Sequence, residues 1–224
     1  MGSVFGKIDV ETPSYDVLAS FEQEKIEVRK YGARYEAYVV SSEFPDAKTE
    51  KEFSSAAFWT LAKYIGVMST PQNEGQASHE PEAVDMTAPV VMSKTTKPQS
   101  IDMTAPVVMG GKTDEEQTMA FILPHKFVTQ QEKPPTPSDK RVHIRLVEGE
   151  TVAVNTFAGI SSPDRSAKRA LRTANTLEND LEGNQFKVVK DEDGNPIWTF
   201  RGYNSPFVLP CYRTNEVAIR VEAQ

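Results

Sequence analysis

One order of elements occurs twice in this chain, and it limits the fold more than any other feature. Residues 24–31 (EKIEVRKY) and 33–41 (ARYEAYVVS) alternate apolar and polar residues as half-buried strands do, with Gly32 between them as a turn or a bulge. A helix follows. Thr49 and Glu52 fit a capping box, Phe53, Ala57, Leu61, Tyr64 and Ile65 recur at helical spacing, and Gly66 supplies the stop. QTMAFILP at 117–124 is a strand ended by Pro124. After the linker QQEKPPTPSDK at 130–140, whose Pro-Pro pair predicts no regular structure, the order restarts. RVHIRLVE (141–148) turns Val142, Ile144 and Leu146 inward, and ETVAVNTFAG (150–159) is the next strand. Ser162 and Pro163 open a second helix as N-cap and first residue, Ala167, Ala170, Leu171, Ala174, Leu177 and Leu181 form its apolar stripe, and Gly183 closes it. QFKVVK, PIWTFRG and NEVAIRVE complete the set, with Val217, Ile219 and Val221 on one face.

Either half alone exposes an apolar sheet face that it cannot bury. Two halves facing each other close a barrel or a strongly curved sheet, with the helices packed outside. The expected architecture is therefore α+β: one pseudo-symmetric domain over residues 1–224, with a first repeat at about 20–124 and a second at about 140–222.

A shorter repetition lies inside the first half. Residues 84–92 read VDMTAPVVM and residues 101–109 read IDMTAPVVM, joined by the polar SKTTKPQS. The second copy reads as a duplicated strand that extends a sheet edge or lengthens a loop, a change that costs little at a surface. The alternative is that two methionine-bearing strands line a larger pocket. Because the copies are nearly identical, either can occupy one sheet position. The stretch 69–83 before them is polar and rich in turn formers, as a surface loop is.

Composition removes several classes of function. An apolar fraction of 38% supports a proper core, and a net charge of -7 without a basic run argues against nucleic acid as a partner. One cysteine, Cys211, cannot form an internal disulfide, and the N-terminus lacks the basic and apolar regions of a secretory signal. Gly6 breaks the myristoylation pattern, and no apolar run approaches membrane-spanning length. A cytoplasmic location is expected. No Ser-His-Asp context, metal-ligand spacing or phosphate-cradling glycine loop points to catalysis.

The combination of MTAPV after a helix ending in LAKYIG, then FILP, then YNSPFVLPCYRTNEVAIRV near the C-terminus resembles the SOUL heme-binding protein family. The opening VFGKIDVETPSY is similar to its plant-type, cytosolic members, and the resemblance runs from about residue 4 to about residue 221. It implies two βαββ-type repeats forming a distorted antiparallel barrel flanked by two helices. It also implies non-covalent binding of heme or another porphyrin in a cleft bordering the first helix. Lys63 matches a basic position that meets a propionate, whereas a second basic position about two turns earlier is Ser55 here.

Heme needs an apolar slot for its ring, cations or hydroxyls for its propionates, and His, Met, Cys or Tyr if its iron is ligated. Phe53, Phe58, Leu61, Ala62 and Ile65 on the first helix, with Lys63 beside them, are the expected lining, joined by Met86 and Met103 of the two repeated phrases. His79, the histidine closest in sequence to those phrases, is the candidate iron ligand to test, although burial and propionate pairing without a strong axial ligand is the expected mode. Arg165, Lys168, Arg169 and Arg172 form a basic strip on the second helix that suits an anionic partner or a propionate. The expected function is a soluble tetrapyrrole-binding protein that buffers or carries heme. An enzyme acting on a tetrapyrrole, and a module that docks a partner protein's helix or a membrane surface, would use the same groove.

Overall fold

The computed structural model describes residues 7–67, 69–76, 78–95, 116–180, 184–204 and 208–224. Leu181, Gly183, Met103 and the second repeated phrase lie outside the described residues. The fold is mixed α+β, with a curled antiparallel half-barrel sheet and three α-helices among the described residues.

The local signals resolve as their chemistry requires. Helix α1 spans Glu50–Ile65, with a complete Thr49/Glu52 capping box and Gly66 in the left-handed conformation at its C-cap. Helix α2, Lys126–Thr129, is a single turn. Helix α3 spans Pro163–Asn175, is capped by the Ser162 hydroxyl and runs on into a π-helical turn at Thr176–Asp180.

Ten strands form the main sheet. They are β1 (Tyr15–Phe21), β2 (Ile26–Tyr31), β3 (Arg34–Val40), β5 (Val90–Thr95), β6 (Glu116–Ile122), β8 (His143–Val147), β9 (Glu150–Phe157), β10 (Phe186–Val188), β11 (Trp198–Gly202) and β12 (Asn215–Ala223). Their order is β1-β2-β9-β12-β11-β5-β6-β3-β8, with β10 pairing beside β12. Two short strands, β4 (Asn73–Glu74) and β7 (Thr136–Pro137), pair separately. The proline-rich linker thus holds a strand that its composition does not suggest: Pro137 lacks an N–H, but a two-residue edge pairing does not need it.

Gly32 is neither a turn nor a bulge but a bend in one long ladder. Ile26 faces Asn155 and Tyr31 faces Glu150 across β2–β9, while Arg34 faces Val147 and Tyr38 faces His143 across β3–β8. The register is continuous, so Gly32 lies opposite Gly149. A Cβ on Gly149 would sit 2.8 Å from the Tyr31 carbonyl oxygen, so this crossing of two bent strands requires glycine.

The helices share one face of the sheet. α1 buries Phe53, Ala57, Leu61 and Tyr64 against Ala37 and Val39 of β3 and Met119 and Phe121 of β6. α3 buries Ala170, Ala174 and Leu177 of its turn extension against Val28, Ala153, Val217 and Ile219. Two expected core residues are exposed instead, Leu146 at 54% on the outermost strand and Leu171 at 49% on the far side of α3, because no element covers either position.

The opposite face is the inside of the curl, because side chains from non-neighbouring strands meet there. Arg201 on β11 reaches past β12 to donate to Glu150 on β9, and its guanidinium lies 4.7 Å from the Tyr31 ring on β2. Arg34 donates to Glu36 and Glu150, Arg145 to Glu36, and Arg29 to Glu216. Burial alone would raise the Glu150 carboxyl, but Arg34 and Arg201 outweigh it and hold Glu150 below its ordinary value. This charged filling occupies the interior.

The first repeated phrase sits in the sheet as β5 and its lead-in. Ala88 N–H donates to the Glu11 carbonyl at 2.9 Å, the Thr87 hydroxyl donates to the Ile122 carbonyl, and Pro89 is fully buried. The phrase is thus a packed corner followed by a strand between β11 and β6.

Candidate functional site

The residues expected to line a cleft on α1 divide by burial. Phe53, Leu61, Ala62 and Ile65 are 3%, 0%, 1% and 3% exposed and belong to the core beneath the helix. Phe58 is half-buried, edge-on to Phe121 and to Trp59. Lys63 is exposed, as its offset from the stripe requires, and its charge helps Arg141 hold the Asp139 carboxyl below its ordinary value. Met86 is 36% exposed. His79 is exposed on the 69–83 loop with its Nδ1 2.6 Å from Glu74 Oε1, and no cluster of three metal-ligating side chains occurs among the described residues.

A concavity lies beside α3. It has a volume of about 620 Å³, within the usual range of small-molecule sites, and three chain segments build it. Glu24 and Ile26 come from the β1–β2 corner, Asn155, Phe157 and Ile160 from the end of β9 and its exit loop, and the cationic strip from α3.

Each wall has a local cause. The Ser162 cap and Pro163 fix where α3 starts, and Ala170 and Ala174 fix which face meets the sheet. Arg165, Lys168, Arg169 and Arg172 follow at i, i+3, i+4 and i+7, which places them in one stripe flanking that contact. Asn155 is 7% exposed and ties two walls together. Its amide donates to the Glu24 and Lys25 carbonyls, and its oxygen accepts from Arg169 Nη1 at 2.9 Å. The Arg169 guanidinium also lies 4.2 Å from the Phe157 ring centroid, a cation–π contact that holds the side chain across the groove. The exit loop is pinned where Gly159, at φ 109, donates to the Pro210 carbonyl and accepts from Asn215. Lys25 at φ 57 and the π turn starting at Thr176 add two uncommon backbone conformations at the rim, a concentration typical of functional sites.

Four cations and one carboxylate, Glu24, therefore line a groove whose other wall carries Phe157 and Ile160, with Ile26, 2% exposed, at the core beneath them, in a chain of net charge -7. Such a site can take a flat apolar body with acidic groups on its edge. Among the described residues, the lining contains no His, Met, Cys or Tyr that could ligate an iron atom strongly. The basic strip is visible in the sequence. The apolar wall is not, because Ile26 and Phe157 each read as an ordinary strand residue until the β2–β9 pairing brings them together.

A family model described as SOUL heme-binding protein matches residues 10–220. Among solved structures, the chain is similar to the EcmrR C-terminal domain, with a TM-score of 0.50 at 9% identity over 89% of this chain and 98% of that one. It is equally similar to an uncharacterized conserved protein from Listeria innocua, with a TM-score of 0.50 at 15% identity over 89% and 93%. At these identities the likeness is one of fold. No curated protein matches the sequence. No helix among the described residues is long and apolar enough to cross a membrane.

Proposed function

Because the chain belongs to the SOUL heme-binding protein family, we propose that it is a soluble protein that carries or buffers heme or a related tetrapyrrole, bound without covalent attachment in the groove beside α3. The observation that carries this reading is the pairing of an apolar wall with four cations in a space of about 620 Å³. The ring lies against Phe157 and Ile160, and the propionates meet the strip on α3. Bound heme would bring its iron, but the described lining residues offer that iron no axial ligand, so affinity rests on ring burial and carboxylate pairing. The cytoplasm is the compartment that one exposed cysteine, Cys211, suits best.

A two-repeat, single-domain architecture is part of the same reading. Its support is the strand order, in which β2-β9-β12-β11 and β8-β3-β6-β5 both run inward to the β11–β5 junction. The facing Gly32 and Gly149 lie where the two halves cross. In that scheme α1 and α3 hold equivalent places, one filled with large apolar side chains and one kept open.

Titration with hemin and with iron-free protoporphyrin IX tests the proposal. The two should bind within about two-fold of each other, since no lining side chain ligates iron strongly. Reversing two exposed cations, Arg165→Glu with Arg172→Glu, should weaken both by roughly ten-fold or more at low salt. Failure of both ligands to bind, or affinities untouched by the charge reversal, would overturn the assignment.

A further inference from the structure

We infer that the groove beside α3 prefers a tetrapyrrole with more than two carboxylates, of the coproporphyrin class, over one with two. This rests on the tetrapyrrole reading above and adds the ligand's charge.

The cations beside α3 differ from those elsewhere in what neutralises them. Elsewhere most arginines have carboxylate partners: Arg29 with Glu216, Arg34 with Glu36 and Glu150, Arg145 with Glu36, Arg141 with Asp139. Beside α3 the pattern stops. Among the described residues none of Arg165, Lys168, Arg169 and Arg172 forms an ion pair, and Arg169 is held by an amide oxygen and a ring instead. Among the described lining residues the only carboxylate is Glu24, across the groove. Seven residues of helix spread the strip over about 10 Å, roughly the width of a porphyrin, so the charges are not gathered at one propionate edge. Two carboxylates would neutralise half of the strip, whereas four would match it. The long stems of Arg and Lys let each charge find a separate carboxylate along the ligand's rim. Exposed charge on a helix is usually only solvated. Here it lines one wall of a concavity in an acidic protein, where it repels itself unless an anion is bound.

The test compares coproporphyrin III with protoporphyrin IX, both iron-free, by fluorescence titration of the full chain at low and high ionic strength. Coproporphyrin should bind roughly 3- to 10-fold more tightly at low salt, and the advantage should vanish at high salt. Lys168→Gln with Arg172→Gln, both exposed, should abolish the advantage: both porphyrins bind more weakly, and coproporphyrin loses roughly 3- to 10-fold more affinity than protoporphyrin. Equal affinity for the two porphyrins, or an advantage that survives the double variant, overturns the charge preference and leaves the tetrapyrrole reading standing. If neither porphyrin binds but inorganic polyphosphate does, and the variant loses it, both readings fall and the groove is a site for linear polyanions.

Discussion

α1 and α3 lie on the same face of one sheet and use their surfaces in opposite ways. α1 turns Phe53, Leu61, Tyr64 and Ile65 inward, and the space beneath it is full. α3 turns small residues inward, Ala170 and Ala174 with Ser166 and Thr173, and the groove lies alongside it. An apolar stripe that looks suited to a flat ligand is then the less available of the two, because its size lets the core claim it. The helix with the modest stripe and the unpaired charges keeps room for something else. On the proposed reading, the unneutralised charge beside a concavity marks the binding site better than the large apolar residues of α1 do.

Substitutions beneath α1 and in the groove beside α3 should separate stability from binding. Leu61→Ala should destabilise the protein by about 3 kcal/mol in chemical denaturation, since it empties a fully buried site, and leave porphyrin affinity unchanged. Loss of binding in a still-folded Leu61→Ala protein would put α1 back in the site. Phe157→Ala should do the reverse. Only partly buried, it should cost about 1 kcal/mol of stability but roughly ten-fold in affinity, because it removes the apolar wall and the support for Arg169.

Deletion of residues 93–109 probes the α1 half alone. It joins Met92 to Gly110 and removes Ser93, Lys94 and Thr95 of β5 together with the second phrase. The protein should still unfold cooperatively, weaker by about 1–2 kcal/mol, in part from the lost Lys94–Glu50 pair. Non-cooperative unfolding would show that both copies are integral to the fold.

The inner face serves as a control, because it should affect both helices equally. Glu150 is held below its ordinary value of 4.5, so the unfolded chain takes up that proton first. The stability from its pairing is complete above that value and is lost as pH falls toward the lower folded value. Denaturation midpoints followed through pH 3–6, as a rough working window, should drop in wild type and drop less in Glu150→Gln. The smallest effect belongs to Lys63→Glu, which should change porphyrin affinity by less than about two-fold. A several-fold loss that shrinks with salt would mark α1 as the propionate site.

What could be read from the sequence follows how far each signal reaches along the chain. Thr49 with Glu52, Ser162 with Pro163, and Gly66 act within one helical turn, and each sits where its chemistry predicts. Leu146 alternates like a core residue, but its strand is outermost in the sheet, and edge position is a property of the whole topology. Gly32 resembles a turn because its partner Gly149 is remote in sequence. The site divides in the same way: its cations lie on one helix and are legible as a stripe, whereas Glu24, Ile26 and Phe157 become a wall only once β2 pairs with β9.

The central claim is that the ligand sits beside α3. Amide chemical-shift mapping of the ¹⁵N-labelled protein during titration with iron-free protoporphyrin IX tests it most directly, because the diamagnetic ring perturbs amides only near its faces and edges. The account predicts perturbations that cluster at Glu24–Ile26, Asn155–Ile160 and Arg165–Thr176, with α1 silent. A cluster along Phe58–Lys63 and β5, with α3 silent, would contradict it.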